Sequence, residues 1–73
     1  MYIVIERSPN SFLQTEYHIT NEKQMRQFII DKDCDEAVSY EDFLNNDFRE
    51  NLEVALNESD ENKQYQVVHI WLH

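Results

Sequence analysis

The chain predicts an α+β fold in the order β-β-α-α-β: a two-layer sandwich, a three-stranded sheet with helices on one face. Three observations lead there. Residues 1–7, 12–20 and 65–72 are rich in β-branched and aromatic side chains, which suit a pleated, half-buried surface. Between the second and third of these runs the apolar residues change to helical spacing. At 73 residues and 41% apolar, the chain has material for one small core, so 1–73 reads as a single acidic domain.

The first strand holds Tyr2, Ile3, Val4 and Ile5. Ser8-Pro9-Asn10-Ser11 follows as a turn, Pro9 presetting φ and Asn10 tolerating turn geometry. In the second strand Leu13, Thr15, Tyr17 and Ile19 alternate onto one face. Directly opposite residues of a hairpin share a face. A three-residue loop from Pro9 to Ser11 is therefore expected to set Arg7 opposite Leu13 and Ile3 opposite Tyr17. Helices would then cover Ile3, Ile5, Leu13, Tyr17, Ile19, Val68, Ile70 and Leu72. The other face would show Tyr2, Val4, Phe12, Tyr65, Val67, His69 and Trp71.

Asn21 is placed to cap a helix, with Gln24 completing a capping-box pattern and Glu22 suiting the positive helix end. Met25, Phe28, Ile29 and Lys32 share a face, and the helix should end near Asp31. Ser39 is the next cap, and residues 40–57 read as helical, with a possible break at Asn45-Asn46-Asp47. Leu44, Phe48, Leu52, Ala55 and Leu56 form its apolar stripe. Residues 58–62 are a polar loop. With two helices intervening, the third strand is expected to run opposite to the second, and parallel to the first if the first is central.

Composition narrows the function. There is no Gly, which removes the glycine-built phosphate loops and leaves Asn and Asp to fill positive-φ turns. The single Cys34 forms no intrachain disulfide, as befits a reducing compartment. Neighbouring carboxylates should raise its pKa and keep it a filler rather than a nucleophile. No apolar run approaches the ~20 residues that span a bilayer. The start of the sequence has no basic region ahead of its apolar residues, so a cytoplasmic protein is expected. His18, His69 and His73 stand beside no nucleophile at informative spacing, and Glu41 with Asp42 is one carboxylate pair among many. No enzyme is expected.

Charge is the strongest signal. The net charge of −9 is unevenly placed. From residue 31 to 61 there are twelve acids against Lys32 and Arg49, a balance of −10; elsewhere three acids face four bases, +1. Such a field repels nucleic acid and anionic membranes and attracts basic surfaces. The expected binding face comprises Asp31, Asp33, Asp35, Glu36, Glu41, Asp42, Asp47, Glu50, Glu53 and Glu58. The expected partner is a basic protein, itself nucleic-acid-binding, whose phosphate-binding positions carboxylates would occupy. In size and charge the chain is similar to the small acidic inhibitors of phages and mobile elements, including anti-restriction and anti-CRISPR proteins. That similarity implies a nucleic-acid mimic.

Two further readings stand beside it. Residues 31–42 resemble an EF-hand calcium loop: Asp31, Asp33 and Asp35 match its first side-chain ligands, Ala37 its carbonyl position and Ser39 its ninth. The loop departs from the pattern at Glu36, where a Gly is usual, and at Asp42, where a bidentate Glu is usual. The resemblance implies Ca or Mg held by Asp31, Asp33, Asp35 and Asp42; otherwise no cofactor is expected. The second reading is a structural subunit, forming a homodimer or binding a partner through Tyr2, Phe12, Tyr65 and Trp71 on the aromatic sheet face. Such a face without Lys and Arg does not suit RNA stacking.

Overall fold

The computed structural model describes residues 1–38 and 47–70. It is an α+β fold with a three-stranded antiparallel sheet and two helices. The elements are β1 (Tyr2–Arg7), β2 (Gln14–Ile19), α1 (Glu22–Asp31), α2 (Asp47–Ser59) and β3 (Gln64–His69). Strand order is β2-β1-β3, with β1 central and antiparallel to both neighbours.

The hairpin register differs by one residue from the expected one. Arg7 pairs with Gln14, Val4 with Tyr17 and Tyr2 with Ile19. The turn explains the shift. Ser11 N–H donates to the Ser8 carbonyl (3.3 Å) and Leu13 N–H to the Ser11 hydroxyl (3.1 Å). Phe12 and Leu13 are thereby drawn out of the ladder and left exposed. Because side chains alternate, one residue of slip exchanges the faces. Tyr2, Val4, Ile19, Tyr65 and Val67 lie in the core, whereas Ile3, Ile5, Val68 and Ile70 are only half-buried. The aromatic surface expected from Tyr2 and Tyr65 is therefore corrected: both rings are core. Phe12 sits in the turn, and Trp71 lies outside the described residues.

The direction of β3 is corrected too. α1 ends beside Glu6, where Lys32 docks. α2 begins at the opposite end of β1, where Phe48 packs edge-on against Tyr2 with centroids 5.6 Å apart. It ends beside Tyr65, the register partner of Glu6. Both helices thus run in the direction of β1. β3 therefore leaves from the Glu6 end, where α2 stops, and runs antiparallel to β1 rather than parallel.

The local signals hold at α1. Asn21 Oδ1 accepts the Gln24 N–H at 2.8 Å, the cap its sequence position demands. The return bond reaches one residue further back than a capping box, since Thr20 N–H donates to Gln24 Oε1 at 2.9 Å. Met25, Phe28 and Ile29 are buried, as are Phe48, Leu52, Ala55 and Leu56 on α2. Leu44 and Ser39 lie outside the described residues.

Lys32 ties α1 to the sheet. Its ammonium donates to Glu6 (2.8 Å) and to the Tyr17 hydroxyl (3.2 Å), and sits 4.8 Å from the centroid of the Tyr17 ring. Burial alone would raise the pKa of Glu6, but the hydrogen bonds from Lys32 and Tyr65 and the Lys32 charge hold it below the ordinary value. Burial would lower Lys32; its bonds to Glu6 and Tyr17 raise it instead. Tyr65, buried and bonded to Glu6, is pushed up to about 12.

β3 is an edge strand, yet its outer edge is closed by side chains of α2. Asn57 Nδ2 donates to the Tyr65 carbonyl (3.1 Å), and Tyr65 N–H donates to Asn57 Oδ1 (2.9 Å). Val67 N–H donates to Glu53 (2.9 Å), and Arg49 donates to the Val67 carbonyl (3.0 Å). Arg49, Glu53 and Asn57 recur every four residues, rising ~6 Å. Tyr65 and Val67 are two apart, spanning ~6.6 Å. The near match lets a helix stand in for a neighbouring strand.

Asn57→Ala removes both bonds to Tyr65 and should cost about 1–2 kcal/mol of stability, read from urea unfolding. The pH dependence is set by Glu6. With its folded pKa below the unfolded value, its contribution is present above that value, 4.5, and is lost as pH falls through the folded one. Acid titration followed by circular dichroism should show Glu6→Gln lacking this part of the wild-type loss while being less stable at neutral pH.

Candidate functional site

The last turn of α1 is closed by a Schellman motif. Cys34 N–H donates to the Ile29 carbonyl (3.1 Å) and Asp33 N–H to the Ile30 carbonyl (3.0 Å). The motif needs a left-handed residue, and Asp33 supplies it with φ of 58°. In a chain without Gly this falls to Asp or Asn, at some steric cost. The positive φ therefore sits at Asp33 rather than at Glu36, where an EF-hand pattern would put it. Cys34 is buried against Ile29. Burial, then Asp35 and Asp33, push its thiol upward, so it packs as a neutral side chain.

The motif throws Asp33, Asp35 and Glu36 outward beside the C-terminal end of α2. With Glu58, Ser59, Ala55 and Ala37 they line a shallow cleft of about 460 Å³. Asp60 and Glu61 follow directly in sequence. Both helices bring their negative ends here, and neither has a basic residue in its last turn. Carboxylates at a helix C-terminus oppose the macrodipole, typically by 0.3–1 kcal/mol each at an exposed site. Three cations are engaged elsewhere: Lys32 with Glu6, Arg26 with Glu22, and Arg49 with Glu50 and Glu53; Lys63 stands at this end, where its charge acts on Glu6.

The ten expected acids therefore divide. Asp33, Asp35, Glu36 and Glu58 come together as one pole. Asp31 is exposed at the end of α1, where its carboxylate accepts from Gln27 at 2.8 Å. Asp47 and Glu50 lie in the first turn of α2, at the far end, where they suit the helix dipole. Glu53 is corrected as a free acidic contact, since it belongs to the β3 clamp and to Arg49. Glu41 and Asp42 lie outside the described residues. Among the described residues no group of three or more His, Cys, Asp or Glu is gathered for a metal ion. Nor is any described helix long and apolar enough to cross a membrane.

Sequence reasoning missed the convergence of the two helix C-termini, which depends on both helices running the same way. It also missed the Glu6–Lys32 pair, 26 residues apart. A lone Lys on the apolar face of α1 and a lone Glu among β1 apolar residues were the available signal. Comparison with protein-family models, with curated proteins and with solved structures finds no match for this chain.

The pole should be an expense to stability. Asp33→Gly, which relieves the backbone and removes a charge, should stabilise by about 1 kcal/mol. Glu58→Gln should give a smaller gain that shrinks as salt screens the pole, measured by thermal unfolding at low and high ionic strength.

Proposed function

We propose that the protein is a non-enzymatic binding domain whose acidic pole docks on a basic surface of another protein, one that ordinarily binds nucleic acid. The supporting observation is the pairing of two helix C-termini with Asp33, Asp35, Glu36 and Glu58 around one cleft. Carboxylates set against the helix dipole at several positions point to a use outside the fold. Partial charge from two helix ends adds to four carboxylates spaced along a curved surface, where a nucleic-acid-binding protein expects phosphates. Attraction over a Debye length would speed encounter and weaken with salt. The inhibitor-like role follows as competition: a basic site holding this pole is closed to its nucleic acid.

The test uses a labelled arginine-rich peptide, with anisotropy read across a salt series and with duplex DNA as competitor. Asp35→Lys, Glu36→Lys and Glu58→Lys together should weaken binding by at least about tenfold at low salt and flatten the salt dependence. The same reversal at Glu16, Glu22 and Glu50 changes net charge equally and should weaken it much less. Equal losses in the two triples would leave net charge alone as the determinant and reject the pole.

A further inference from the structure

The sheet has two edges, and they are treated differently. At β3 the outward groups of Tyr65 and Val67 are taken by Arg49, Glu53 and Asn57. At β2, alternation along the strands settles which groups face out. Met1 and Ile70 exchange backbone bonds of 3.0 and 2.8 Å, so Ile3 and Ile5 face β3, and Tyr2, Val4 and Glu6 face β2. Their register partners Ile19, Tyr17 and Thr15 point inward. The backbone N–H and C=O groups of Gln14, Glu16 and His18 are left pointing away from the sheet. Among the described residues no side chain bonds to them; the outward N–H of Thr20, at the end of the strand, is closed by Gln24. A groove of about 630 Å³ follows this edge, floored by Tyr17, Ile19 and Phe28 and bordered by α1.

We infer that this edge pairs with the same edge of a second copy, antiparallel, about a two-fold axis at Tyr17. The register is selected by charge. An axis at Glu16 would set Glu16 against itself, a destabilising like-charge pair. An axis at Tyr17 sets Glu16 opposite His18 of the partner subunit, and His18 opposite its Glu16. Both are outward-facing residues, so each pair exchanges two backbone hydrogen bonds. Within one chain the Glu16 carboxylate and His18 imidazole already lie 3.6 Å apart on the same face. Pairing would gather two carboxylates and two imidazoles in alternation. Tyr17 meets Tyr17 of the partner subunit on the helix side, and Thr15 meets Ile19. Five of the six β2 residues remain paired.

Two features of the fold agree with this occupant. The clamped β3 edge ends the six-stranded sheet on both sides, so the assembly closes at two copies instead of growing. Antiparallel pairing also sends the two acidic poles to opposite ends, which keeps the largest charges of two −9 chains apart. The inference does not depend on the function proposed for those poles.

Sedimentation across a concentration series should show a monomer–dimer equilibrium. Hydrogen exchange at the Glu16 and His18 amides should slow as concentration rises, while the amides at Thr15 and Tyr17 are protected throughout. Glu16→Pro removes an outward N–H that the monomer does not use, a change tolerated on an edge strand; it should give a monomer with an unchanged circular dichroism spectrum. As a second variant, His18→Glu should weaken association about tenfold, and adding Glu16→His to it should restore association. A monomer at every concentration, or a dimer indifferent to both variants, overturns the inference. So does protection of Glu16 and His18 that follows addition of an arginine-rich peptide and not concentration, which would give the edge to a partner's strand.

Discussion

The architecture turns on the match between one helix and one strand edge. Arg49, Glu53 and Asn57 present donors and acceptors at the spacing of alternate residues in β3. A 73-residue chain buries little, and an unsatisfied edge group that is partly covered is costly. By bonding to Tyr65 and Val67, α2 closes an aggregation-prone edge and fixes its own axis antiparallel to β3. Phe48 is then held over Tyr2, with Leu52, Ala55 and Leu56 set into the core. The same axis carries Glu58 to the end of the sheet where α1 also stops.

Lys32 performs the corresponding service for α1. A cation placed over Tyr17 and bonded to Glu6 brings the last turn of α1 down onto β1 and β2. The pair is largely shielded, with side-chain exposures of 23% and 13%, so salt weakens it far less than the exposed pair Arg26–Glu22. Its placement also withdraws one of the few bases in the acidic half from the surface. Carboxylates outnumber the bases left at that end.

Much of the fold was legible because it rests on short-range signals. Asn21 as cap, the stop of α1 near Asp31, the stripe Phe48-Leu52-Ala55-Leu56 and the three strands all follow from residues within a few positions of each other. The misplaced register came from one hydroxyl: Ser11 captures Leu13 N–H and turns a tight loop into a longer one. Two alternating faces that are both apolar, Ile3 and Ile5 against Tyr2 and Val4, offered no pattern to choose between them. The candidate site was half legible. Charge density marked the segment, but which carboxylates converge depends on helix direction, and Glu53 looked like surface until its acceptor role toward Val67 was set by tertiary contact. Asp33 was counted as a ligand position; in the fold it is first a backbone device, the residue that tolerates φ of 58° where no Gly exists.

The parallel course of the two helices has a consequence for motion through solution. Antiparallel neighbours largely cancel their peptide dipoles, whereas these two add along the direction of β1, and the carboxylates near Glu58 lengthen the resultant vector. In the field of a cationic surface such a body feels a torque before it feels a contact. The torque turns the acidic end of the sheet forward and narrows the rotational search, with the Tyr2 end trailing behind.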